Sequence, residues 1–156
     1  MPNTLYVEGD TEKSFFAALL LGLDQLHGLK NLPIKTLGVE CKVQTPKDAG
    51  KFRNGLHPLL TVLGERLNDI VDEVKTNSSP ASRYAFVFDA DEDFSQRSSE
   101  IQIVFGRYGF ALNECCALGF LFSHQDYGAH IPVWIMPNNR DKGELEHLLL
   151  DALQKD

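Results

Sequence analysis

A chain of 156 residues suits one compact domain, and its apolar share of 43% is that of a globular protein rather than a disordered one. The net charge of −7 argues against strong passive attraction to nucleic acid, and the three cysteines, Cys41, Cys115 and Cys116, form neither a C-x-x-C pair nor a disulfide framework. No apolar run reaches membrane-spanning length, Phe15 to Leu23 being short and interrupted by Gly22; with no signal-peptide pattern at the N-terminus, the expected location is cytoplasmic.

Thr4 to Val7 reads as a short buried strand ended by Gly9. Asp10 or Thr11 can cap the helix that follows, in which Phe16, Leu19, Leu20 and Leu23 recur at helical spacing. Ile34 to Val43 is a second strand candidate, and Thr45 to Pro58 is rich in turn residues. Leu59, Leu63, Leu67, Ile70 and Val74 mark a second amphipathic helix. Tyr84 to Phe88 is a continuous apolar run, the pattern of a strand buried on both faces, and it stops at D-A-D-E-D, Asp89 to Asp93. Ile101, Val104, Phe105 and Tyr108 mark a third helix with Gly109 at its C-terminal cap. Phe110 to Tyr127 fits helix or strand. Ile131 to Met136 is a further strand, and Leu145, Leu148, Leu149 and Leu153 give a last helix. The alternation predicts an α/β fold over residues 1–156, with a mostly parallel sheet of roughly four to five strands flanked by helices.

In such sheets ligands bind beyond the carboxyl ends of the strands, near the point where strand order reverses. Glu8 and Asp89 both stand at such ends, and they meet if the first and third strands are neighbours. Asp89, Asp91, Glu92 and Asp93 crowd carboxylates into one turn. Asp89 and Asp91, two apart, point the same way on extended chain. Crowded carboxylates repel and hold protons unless a counter-charge arrives, and a hard divalent cation is the natural one. The structural alternative is a solvated turn with a helix cap.

V-E-G-D-T-E with V-F-D-A-D resembles the Toprim domain shared by topoisomerases, bacterial primases and OLD-type nucleases, in which a Glu follows the first strand and an Asp-x-Asp the third. The segment W-I-M-P-N-N-R-D-K-G-E-L-E-H-L-L-L is similar to a further motif of an uncharacterised Toprim-like family of prokaryotes and phages, so the resemblance spans Leu5 to Leu153. It implies Glu8 as general acid or base, or as a ligand through a second metal. It implies Asp89 and Asp91 as ligands of Mg²⁺ (or Mn²⁺), with Asp93 the closest match to a further acid. Topoisomerase-type domains read Asp-x-Asp-x-Glu, whereas this chain has Asp93 at the last position.

The activity implied is nuclease-like phosphodiester cleavage or phosphoryl transfer on nucleic acid or nucleotide. Gly9 and Lys51 are candidate substrate contacts, Lys51 lying in the basic stretch from Lys30 to Arg53. Of the two acids opening the last helix, Glu146 is favoured over Glu144 to reach a site. Cys115, Cys116, His124 and His130 fit no common zinc spacing. A haloacid-dehalogenase-type phosphatase also uses Asp-x-Asp, but there the motif opens the fold, and here it is mid-chain. The second reading is a non-catalytic module that binds metal, nucleotide or a protein partner, a second copy included.

Overall fold

The computed structural model describes residues 3–27, 32–37, 58–76, 83–116, 119–138 and 140–154. In chain order these form β1 (Asn3–Val7), α1 (Asp10–His27), β2 (Ile34–Thr36), α2 (Pro58–Thr76), β3 (Arg83–Asp89), α3 (Phe94–Arg107), β4 (Phe110–Cys116), β5 (Gly119–His124), β6 (His130–Met136) and α4 (Leu145–Gln154). The strands make one six-stranded sheet in the order β2-β1-β3-β6-β5-β4.

The sheet is mixed, which corrects the expectation of a smaller, mostly parallel one. β2, β1, β3 and β6 run parallel to one another, while β5 pairs antiparallel with both β6 and β4. The cause lies in the ambiguous stretch after Gly109. It contains no crossover helix, and strands joined by short turns can only return antiparallel. Phe110, Phe120 and Phe122 are strand residues buried on one face, while Leu112 is exposed.

Two cores follow from the period-2 alternation of the central strands. Tyr6, Phe86, Phe88, Val133 and Ile135 face α2 and α3, meeting Leu63, Leu67, Ile101 and Phe105. Val7, Val87 and Met136 face the other way, onto Phe15 and Phe16 of α1 and Leu145 of α4. The first core is aromatic, with Phe105 stacked on Phe122 at 4.1 Å between centroids and Phe86 parallel to Phe88 at 5.9 Å. Each fully buried side chain of this size contributes roughly 1.5–3 kcal/mol of transfer free energy. On α1, Leu19 is exposed and Phe15 takes a place in the core, so the buried stripe is shifted from the expected one.

β1 and β3 are direct neighbours in parallel register, Tyr6 opposite Phe86. From β1 the chain goes to β2 on one side, while β3 and then β6 lie on the other. The order therefore reverses between β1 and β3, and Glu8 and Asp89 stand at that point. Of the second strand candidate, Ile34–Thr36 is strand among the described residues, and residues 38–57 lie outside them. No described helix is long and apolar enough to cross a membrane.

Candidate functional site

β1 ends at Val7 because Gly9 opens α1. The Gly9 carbonyl accepts the first helical hydrogen bond from Lys13, and its N–H donates to Glu12 Oε2 at 3.1 Å. Gly9 is thus the N-cap, with Glu12 reaching back as in a capping box, and Asp10 and Thr11 lie in the first turn rather than at the cap. Glu8 takes no part in this. Its Oε1 accepts the backbone N–H of Asp89 at 2.9 Å, tying the end of β1 to the end of β3.

Asp89 closes β3 opposite Met136 of β6 and is only 6% exposed. Its Oδ1 is buried without a hydrogen-bond partner among the described residues. An unsatisfied buried carboxylate oxygen is costly and rare, and it marks a missing proton, donor or ion. Burial first, and then the Glu8 charge, push the Asp89 carboxyl up to about 8. Burial likewise pushes Glu8 up to about 7, against the opposing effects of the Asp89 N–H and of Arg97. Both groups therefore hold protons in a range where ordinary carboxyls have lost them.

The chain turns sharply after Ala90. Asp91 has a φ of 54°, a left-handed conformation that Asp tolerates better than most residues. The extended geometry expected for Asp89-Ala90-Asp91 is absent, and the two carboxylates converge through this turn instead. A two-bond clamp holds it: the Asp91 N–H donates to the Gly143 carbonyl at 2.8 Å, and the Gly143 N–H donates to the Asp91 carbonyl at 2.7 Å. Gly143 has a φ of 136°, and a Cβ there would lie 3.0 Å from the His147 ring, so the position requires glycine.

The clamp carries Glu144 to the site. Ligand atoms from Asp89, Asp91 and Glu144 all lie within 4.8 Å of one another. Glu144, not Glu146, is the acid that joins the group, because it stands ahead of α4 in the segment fixed to Asp91. Nothing local to G-E-L-E-H separates the two; the distinction needs the contact with the turn after β3.

Asp91 is further held by Arg97, whose Nη2 donates to Asp91 Oδ2. Arg97 is buried on α3, with its Nη1 4.0 Å from Glu100 and without a hydrogen-bond partner among the described residues. It escaped the sequence reading, yet a signal exists. Arg97 precedes Ile101, Val104 and Phe105 at i+4, i+7 and i+8, which places it on the apolar stripe of that helix.

Asp93 stands apart from the cluster of three. Its Oδ1 accepts the Gln96 N–H at 3.0 Å, and it is the N-cap of α3. Gly9 adjoins Glu8, with its N–H already donated to Glu12. Lys51 lies outside the described residues.

The donor set consists of carboxylate oxygens, which select hard cations such as Mg²⁺ and Mn²⁺ over soft ones. The orphaned Asp89 Oδ1 fits such an ion, because a cation would satisfy it without a further protein donor.

A family model described as "Protein of unknown function (DUF3226)" matches residues 2–156, and the chain belongs to that family. No curated protein and no solved structure matches it.

Proposed function

We propose that this DUF3226 chain is a Toprim-like domain performing divalent-cation-dependent phosphodiester cleavage or phosphoryl transfer on nucleic acid or a nucleotide. The observation that carries the reading is the convergence of Asp89, whose Oδ1 is buried without a partner among the described residues, with Asp91 and Glu144 at the strand-order reversal, with Glu8 alongside. Asp89, Asp91 and Glu144 would hold Mg²⁺ or Mn²⁺. Such an ion, when bound, supplies polarisation of a phosphoryl oxygen and a lowered pKa for water.

Glu8 has one oxygen committed to the Asp89 N–H and a carboxyl pushed up to about 7, which suits it to take or give a proton near neutral pH. Arg97 and the Gly143 clamp orient Asp91. Val7 precedes Glu8 and Met136 pairs with Asp89, and both are buried with Val87 in an apolar core, so the acids stand at its border.

A second reading, a binding module without chemistry, is favoured by the net charge of −7, which repels a polyanion from the rest of the surface. Two measurements separate the readings. Calorimetry with Mg²⁺ and Mn²⁺ should show binding to wild type and its loss in Asp89→Asn/Asp91→Asn; no binding to either protein removes the metal site. A screen over single- and double-stranded DNA, RNA and nucleotides should show turnover by wild type that Glu8→Gln lacks. The same background from both, with metal binding intact, leaves the binding module.

A further inference from the structure

Arg97 is in a costly place. Its side chain is 7% exposed, and it sits in the opening turns of α3, where the helix dipole disfavours a cation. The compensation is the acidic cluster: Asp91 is bonded to its Nη2, and its charge also acts on Glu8. A helix needing only an apolar stripe would place Leu or Met at this position.

We propose, on the premise of the metal-binding reading above, that Arg97 is a positioning residue that limits the cluster to one divalent cation. It does so by holding Asp91 and by supplying the positive charge that a second ion would bring. Paired-ion sites place their ions about 3.5–4 Å apart and need carboxylates that bridge them. The two acids beside Asp89 each have one oxygen engaged, which a bridging carboxylate would need free. Asp91 gives Oδ2 to the guanidinium, and Glu8 gives Oε1 to the Asp89 N–H. Among the described residues, what converges within 4.8 Å is a single set of ligand atoms from Asp89, Asp91 and Glu144, enough to hold one ion. Guanidinium is suited to this post because it stays charged when buried and its planar fork fixes a carboxylate oxygen in direction as well as distance.

The test is a Mn²⁺ titration of the full chain, with the free ion counted by electron paramagnetic resonance, on wild type, Arg97→Lys and Arg97→Gln, each checked for native fold by circular dichroism. The expected result is one bound ion per chain in wild type and Arg97→Lys, and two in Arg97→Gln. Two ions in wild type, or one in folded Arg97→Gln, overturns the role of Arg97 and leaves the metal-binding reading standing. No bound ion in wild type removes both. Where Arg97→Gln does not fold, one ion in both wild type and Arg97→Lys supports the proposal, and two in either overturns it.

Discussion

The Oε1 of Glu8 accepts the backbone N–H of Asp89 at 2.9 Å, although 81 positions separate the two residues in the chain. One consequence concerns stability. Glu8→Gln retains the accepting oxygen and removes a charge that burial disfavours, so unfolding by denaturant at neutral pH should give a stability equal to or above that of wild type. Glu8→Ala removes the acceptor and leaves the Asp89 N–H unsatisfied, with an expected loss of about 1–3 kcal/mol. Equal losses for both substitutions would mean that the charge, not the hydrogen bond, is what matters at this junction.

A pH dependence follows from the raised carboxyls. Glu8 is pushed from 4.5 up to about 7 and Asp89 from 3.8 up to about 8. Below their ordinary values both groups are protonated in folded and unfolded chains alike. As pH rises, the unfolded chain ionises first, so the stability these groups contribute is lost between about pH 4 and about pH 8, and the loss levels off once the folded groups ionise. Without divalent cation, thermal unfolding of wild type should therefore fall across this window relative to Asp89→Asn. Added Mg²⁺ should raise wild type at pH 8 and leave Asp89→Asn unmoved. Parallel pH curves for the two proteins would contradict the burial of Asp89 as a cause.

Glu144 and Glu146 provide a test between neighbours. Glu144→Gln should weaken Mn²⁺ binding roughly tenfold or more, the size of effect that losing even a supporting residue of a metal site has. Glu146→Gln should leave it unchanged. Gly143→Ala strains a φ of 136° and presses on His147, with an expected stability cost of about 1–3 kcal/mol and a weakened ion site, since the clamp on Asp91 must shift. Calorimetry on the three variants reads all of these; equal affinity in Glu144→Gln and wild type would exclude Glu144 from the site.

Asp93 was expected from the family resemblance to be a further metal ligand, and the structure places it as the cap of α3. The cap predicts that Asp93→Ala costs about 0.5–2 kcal/mol of stability, that Asp93→Asn recovers most of it, and that both bind Mn²⁺ as wild type does. Loss of metal in Asp93→Asn with stability retained would show that it is a ligand as well as a cap.

Some of the site was legible in the sequence because its causes are local. The apolar runs before Glu8 and Asp89 end within a residue or two of each acid, and a run of that kind announces a strand end wherever it occurs. Arg97 was equally available, since its place on the helical stripe depends only on Ile101, Val104 and Phe105. The β4–β5 hairpin was not legible, because apolar residues on Phe110–His124 satisfy both periods. Glu144 was out of reach for another reason. Its position depends on Gly143 meeting Asp91, two segments with no shared periodicity to betray the contact.

By itself, then, the sequence determined the alternation of strands and helices and the carboxylates that stand where strands stop. Those outcomes depend on propensities and periodicities read over a few neighbouring residues. Only the tertiary structure decided that the sheet is mixed, that Glu8 bonds to Asp89, that Glu144 rather than Glu146 completes the cluster, and that a buried guanidinium faces it. Each of these is a contact between elements distant in the chain, set by which strands pair and which loop crosses the strand ends, and no local pattern carries that information.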